Sequence, residues 1–194
     1  MLTLFLAASL TAAHAGWEET ARDNGCVFYK STTTEADGAQ PVRATCDWPI
    51  QPKTLHRLLD KVEDHDLYFS GITKCNLIRE DGAVARTWQL HETPGLSARE
   101  VVLDMETTDI EGGWRFTWTK AADQSHNTGG AVEIALNTGK WEVTDNGSGG
   151  SKVVYELRYK PGGSVPGFMV RWFQGSGMQS LIGELRTYAK AHPG

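Results

Sequence analysis

Between residues 84 and 159 apolar and polar positions alternate with a period of two. Val84, Arg86, Trp88 and Leu90 share one parity, followed by Val101, Leu103 and Met105, then Trp114, Phe116 and Trp118. Val132, Ile134 and Leu136 come next, then Trp141 and Val143, and finally Val153, Tyr155, Leu157 and Tyr159. Each set falls on one face of a strand, and the other face of the last strand, Val154, Glu156, Arg158 and Lys160, is wet. Alternation of this kind predicts antiparallel strands with one buried face. Asp81-Gly82, Glu111-Gly112-Gly113 and Asn146-Gly147-Ser148-Gly149-Gly150 supply the turns between them.

Two stretches switch to the helical period. Pro52 suits a first helical position, and Leu55, Leu58, Leu59 and Val62 make one stripe that runs out in Glu63-Asp64-His65-Asp66. The second helix begins near Ser164-Val165-Pro166 and runs almost to His192-Pro193-Gly194, with Met169, Trp172, Phe173, Leu181, Leu185 and Tyr188 as its apolar face. Ahead of the first helix, Cys26-Val27-Phe28-Tyr29-Lys30 and Val42-Arg43-Ala44-Thr45-Cys46 flank the turn signal Asp37-Gly38. The order is two strands, a helix, about six strands and a long closing helix. That is an α+β arrangement, a curved antiparallel sheet wrapped around a long C-terminal α-helix. A wide twisted sheet curls, and a helix across its concave face encloses volume that side chains need not fill.

Composition narrows the classes. The 194 residues are 40% hydrophobic and 22% charged, with seven Trp, six Phe and five Tyr, which fits one ordered domain and not a disordered chain. A net charge of −5 with no basic stripe argues against a nucleic-acid partner. The first fifteen residues, MLTLFLAASLTAAHA, carry no Asp, Glu, Lys or Arg, and Ala13-His14-Ala15 before Gly16 has the form of a signal-peptidase site. The expectation is a signal peptide over 1–15, cleaved after Ala15, and a single domain over 16–194 in the periplasm or outside the cell. If the first two strands form a hairpin centred near residue 36, Cys26 faces Cys46 closely enough for a disulfide, leaving Cys75 free; the alternative is three buried thiols.

Catalytic constellations are sparse. The six His show no metal-binding spacing, so no metal or redox cofactor is expected. His65 in its polar cluster and His91-Glu92 at a strand end read as solvated. There is no G-x-S-x-G elbow. The closing helix carries Gly175, Gly177 and Gly183, each costing about 1 kcal/mol relative to Ala. They imply either close packing on the sheet or a helix that loosens around Gln174-Gly175-Ser176-Gly177 to admit a ligand.

Several strings resemble the START (StAR-related lipid transfer) family, bacterial type, within the Bet v 1-like (SRPBCC) helix-grip superfamily. Ser97-Ala98-Arg99-Glu100-Val101-Val102 is similar to the family's Arg-Asp-Phe-Val string, with Glu100 and Val101 in place of Asp-Phe. Asn137-Thr138-Gly139-Lys140-Trp141-Glu142 resembles its Gly-x-Trp strand, and Pro161-Gly162-Gly163-Ser164-Val165-Pro166 the approach to its last helix. Trp17-Glu18-Glu19-Thr20 and Val27-Phe28-Tyr29-Lys30 resemble its opening. The resemblance covers roughly residues 17–190 and implies a helix-grip domain holding a lipid, sterol or other hydrophobe between sheet and last helix. Its ligand set here would be Arg86, Trp88, Leu90, Val101, Leu103, Met105, Trp114, Phe116, Trp118, Ile134, Leu136, Tyr155, Leu157, Met169, Trp172 and Phe173. The alternative is that the aromatics pack as a dry core.

Arg86 is read either as a contact to a ligand's polar group or as a strand-end charge paired elsewhere, and Arg99 as structural. Met105 stands where sterol-carrying relatives place a basic residue. The expected protein is a monomeric carrier that touches membranes transiently and is not an enzyme. The alternative is a polyketide cyclase or aromatase recruiting Arg86, Thr107, Tyr155 and Tyr159.

Overall fold

The computed structural model describes residues 16–194; the expected leader, residues 1–15, lies outside the described residues. Three strands open the chain, β1 (Trp17–Asp23), β2 (Cys26–Ser31) and β3 (Val42–Trp48), followed by α1 (Pro52–Asp60) and a 3-10 turn over Val62–Leu67. Then come β4 (Ile72–Asp81), β5 (Val84–His91), β6 (Arg99–Ile110), β7 (Gly113–Lys120), the two-residue β8 (Val132–Glu133), β9 (Leu136–Asp145) and β10 (Ser151–Lys160). The chain closes with α2 (Gly167–Trp172), a π-helical stretch over Phe173–Gly177 and α3 (Met178–Ala191). One sheet runs in the order β1-β2-β3-β10-β9-β7-β6-β5-β4, with β8 alongside β6. Only the β6–β8 pairing is parallel among the described residues.

Two strands go beyond the pattern-based expectation, and both are edges. β1 buries none of its residues and β4 only Ile72 and Cys75, so neither shows the alternation that a half-buried strand shows. β1 is instead built by its turn. Asn24 and Gly25 both take positive φ, 53° and 77°, which is the two-residue hairpin geometry that Asn-Gly favours. In the β2–β3 pairing Cys26 lies opposite Cys46, and the two are disulfide-bonded. Cys75 is a buried free thiol whose Sγ donates to the Val62 carbonyl at 3.0 Å, and burial pushes its pKa up to about 12.

The concave face is covered by two different devices. Over β7 and β9, α1 buries Leu55, Leu58 and Leu59, and its His56 ring lies 4.4 Å from Trp114 and 5.6 Å from Phe116. This half is a dry core with Trp48, Val143 and Val153 at 0–1% exposure. The other half is spanned by the closing helix, which buries Met178, Ile182, Leu185 and Ala189. The Thr54 hydroxyl donates to the Pro193 carbonyl at 2.6 Å and Arg57 to that of His192 at 2.7 Å, tying the two devices together.

The convex face is polar except where the loop over residues 121–131 folds back on it. There Trp88, Val102 and Ala121 form a second small apolar cluster, with Leu90 packed on it. Glu100, 1% exposed, accepts hydrogen bonds from Trp88 Nε1 at 3.0 Å, the Thr128 amide at 2.7 Å, the Thr128 hydroxyl at 3.0 Å and the Gly129 amide at 2.9 Å. Burial alone would raise its pKa, but these donors hold it below the ordinary carboxylate value. Arg86 lies on the same face, its guanidinium paired with Asp104 at 2.6 and 2.8 Å.

Arg86, Trp88 and Leu90 therefore do not enter the concave interior, which corrects the expected ligand set. The parity of β5 misleads because the loop makes its outer face apolar, while its inner face carries Thr87, Gln89 and His91. Leu136, whose neighbour Asn137 points inward, also lies off the cavity wall. Glu100→Ala strips four donors of a buried acceptor, and we expect about 3 kcal/mol lost from stability. Urea unfolding measures it, and Trp88 fluorescence should shift as the loop lifts.

Candidate ligand-binding site

Between the closing helix and the sheet lies a cavity of about 540 Å³, inside the usual range of ~300–1,000 Å³ for small-molecule sites. Its floor is Leu103 and Met105 of β6, Trp118 of β7, Trp141 of β9 and Tyr155 and Leu157 of β10. These are the inward parity of each strand, and the register sets them side by side: Met105 faces Trp118, Trp118 faces Gly139, and Trp141 faces Tyr155. Gly139 is needed there. A Cβ on it would meet the Glu156 carbonyl oxygen at 2.2 Å and the Trp118 ring at 2.4 Å. The Trp118 ring instead lies over the strand, 5.9 Å from Tyr155, and its Nε1 donates to Asn137 Oδ1 at 2.8 Å. The far wall is Phe69 and Ile72, and the roof is Trp172, Phe173, Met178 and Leu181.

Of the expected residues, Leu103, Met105, Trp118, Tyr155, Leu157, Trp172 and Phe173 meet at this cavity. Trp114 and Phe116 sit inward but under α1, Val101 and Ile134 are buried in the adjoining core, and Met169 lies on α2 away from the wall. Pocket lining and dry core are thus both present, in different halves of one face.

The polar lining was largely missed by the periodicity, because it occupies positions where an apolar residue is expected or lies outside any strand. His65 is buried, hydrogen-bonded to the Leu59 carbonyl at 3.2 Å, and not solvated. His91 also lines the cavity, 3.2 Å from Gln89 Oε1. Burial lowers both imidazole pKa values to about 4, so both are neutral at neutral pH. Tyr155 and Tyr159 are pushed up by burial, Tyr159 to about 12. Arg99 lines the cavity at 4% exposure. Among the described residues no cluster of His, Cys, Asp and Glu has metal-site geometry, and no helix is long and apolar enough to cross a membrane.

The exposed lining residues, Ser70 and Gly71, Glu92 and Pro94, and Trp172 and Ser180, mark where the cavity reaches solvent. Across this mouth the Ser70 hydroxyl and amide donate to Glu184 of α3 at 2.6 and 3.1 Å. The helix over the mouth is the π-helical stretch, a rare conformation that marks functional sites. An added Cβ at Gly175 or Gly183 meets nothing within 4 Å, so close packing does not explain these glycines; at Gly177 it would press on Trp172 at 3.1 Å.

No protein-family model matches the chain. In sequence it is 22% identical over 177 residues to an uncharacterized protein of Pseudomonas aeruginosa, spanning 90% of this chain and 87% of that one. Among solved structures it is similar to a STAR-related lipid transfer protein from Xanthomonas axonopodis, with TM-score 0.80 and 16% identity over 90% of this chain and 99% of that one. Human STARD10 superposes with TM-score 0.83 and 13% identity over 93% of this chain and 76% of that one. The Zhui aromatase/cyclase from Streptomyces sp. R1128 follows with TM-score 0.62 and 9% identity over 78% of this chain and 94% of that one. The chain has the helix-grip fold of the START and Bet v 1-like proteins.

Two imidazoles, the buried His65 and the half-buried His91, make stability pH-dependent. Their folded pKa values lie below the ordinary 6.5, so between pH 6.5 and about 4 the unfolded chain binds protons that the folded chain does not. Stability should fall on acidification through that window, on the order of 3 kcal/mol for His65. Thermal melts from pH 7.5 to 4 check this, and His65→Gln should flatten the slope.

Proposed function

We propose that the protein is a carrier that holds one hydrophobic small molecule in the 540 Å³ cavity and conveys it between membranes, in the periplasm or outside the cell. The observation that carries this reading is the cavity itself. A floor of Leu103, Met105, Trp118, Trp141 and Leu157 lies beneath a helix whose π-helical stretch stands over the mouth. Burying apolar ligand surface contributes roughly 25 cal/mol per Å², enough to hold a lipid-sized molecule without hydrogen bonds after ordering costs. The apolar leader Leu2 to Leu10 before Ala13-His14-Ala15 supports export.

Phe168 and Trp172, one helical turn apart on α2, are 63% and 42% exposed. They supply an apolar face beside the mouth for transient contact with a membrane surface. Gly175, which has open space around it, lets the same segment open, and the Ser70–Glu184 contacts hold the following helix across the mouth.

The fold's likeness to the Zhui aromatase/cyclase favours a second reading, ring closure on an enclosed substrate. General acid–base work needs a group that titrates near neutrality. Tyr155 and Tyr159 are raised far above it, and His65 spends its Nε2 on a backbone carbonyl. The carrier reading is therefore the better supported.

Leu103→Trp places an indole in the cavity. It should weaken binding of a fluorescent fatty acid or sterol at least about tenfold, or 1.4 kcal/mol, with the fold kept by circular dichroism. Gly175→Ala, which has room for its methyl group, should slow ligand exchange in stopped flow and leave affinity unchanged. Unaltered binding by Leu103→Trp would place the ligand elsewhere, and turnover of an aromatic precursor would favour the cyclase reading.

A further inference from the structure

Arg99 is the anomaly of the cavity. It is 4% exposed and lies on the inward face of β6, opposite His91 of β5. No carboxylate among the described residues comes within ion-pair distance of it. One guanidinium nitrogen, Nη1, donates to the Ser97 carbonyl, while Nε is buried with no acceptor at all. The two carboxylates lining the same cavity do not reach it, and Glu184 is already engaged by Ser70 and Ser180. A guanidinium does not neutralise itself by losing its proton. A buried cation left this way costs several kcal/mol unless an anion or a set of acceptors meets it. Tyr159 lies near enough to feel its charge, and its hydroxyl makes no hydrogen bond to a described residue.

We propose that Arg99 is the anchor for the headgroup of an anionic, single-chain amphiphile, a long-chain carboxylate or monoalkyl phosphate, whose tail lies over Leu103, Met105, Trp118 and Trp141. This rests on the carrier reading and names the ligand class for the same cavity. Position and volume both support it. Arg99 and Met105 are six positions apart along β6, about 20 Å at ~3.3 Å per residue. A charged end and an apolar end are therefore separated by the length of an extended chain. A cavity of about 540 Å³ lies within the ~300–1,000 Å³ of sites that enclose one small molecule, which admits one such amphiphile. The planar fork of Arg99 suits the paired oxygens of a carboxylate or phosphate.

The test is titration calorimetry of the delipidated protein with palmitic acid, hexadecyl phosphate and 1-hexadecanol, which share a tail and differ at the head. A charge-assisted hydrogen bond predicts that the acid and the phosphate bind at least about tenfold more tightly than the alcohol. Arg99→Gln should bring all three within about threefold of one another by weakening only the anions, and Arg99→Lys should restore part of the preference. Should a variant fail to fold, the comparison on the wild-type protein still decides. Equal binding of acid and alcohol to the wild type overturns the anchor and leaves the hydrophobe cavity standing. No binding by any of the three overturns the anchor, and failure to bind a sterol as well would overturn the carrier reading with it. Displacement of palmitate by millimolar inorganic phosphate would show a site for a free anion and overturn the amphiphile.

Discussion

The constraint on which the structure depends is geometric: this sheet presents more concave surface than the helices laid on it can fill. Strand twist curls a sheet of this width, and one short helix covers only part of the result. α1 seals the half over Trp114, Phe116 and Val143, where ring and aliphatic contacts are continuous. The closing helix spans the other half as a bridge, buried through Met178, Ile182, Leu185 and Ala189. What it does not touch is the cavity. Protein interiors otherwise pack with few voids larger than a water molecule, so space on this scale is a feature of the architecture.

The same division explains which parts of the fold were legible in the sequence. β7, β9 and β10 each have one dry and one wet face, and inward positions such as Trp118, Trp141 and Tyr155 could be read from the alternation, as could Leu103 and Met105 of β6, whereas Leu136 was misread. The Cys26–Cys46 pairing was one of two readings that the hairpin centred near residue 36 left open, and the structure joins the two. β1 and β4 were not legible from periodicity because edge strands bury too little to alternate. β5 was read upside down for a more specific reason. Glu100 binds the 121–131 loop to the convex face and buries Trp88 there, while the inner face turns Gln89 and His91 toward the cavity. A polar cavity wall thus looks like a solvent face in the sequence.

The candidate site was legible to the same extent and failed for the same reason. Its apolar floor and roof, Leu103, Met105, Trp118, Tyr155, Leu157, Trp172 and Phe173, carry the pattern of a core. Its polar members do not announce themselves. Arg86 was the conspicuous charge on an apolar parity, and it is paired with Asp104 outside. Arg99, read as structural, is the cation left inside without a carboxylate. Met105 is part of the apolar floor, so the cation of this cavity stands toward the other end of β6. The helix glycines were open to two readings from sequence; the empty space around Gly175 and Gly183 decides against close packing there, while Gly177 does pack against Trp172.

The central claim is that the space between sheet and closing helix holds one apolar molecule. Native mass spectrometry of the full chain, purified without detergent and followed by organic extraction, addresses it most directly. The account predicts a mass increment of one small hydrophobe per chain, recovered in the organic phase, or acquired when an emptied sample is challenged with fatty acids and sterols. A chain that flies at its bare mass after purification and after that challenge would contradict it.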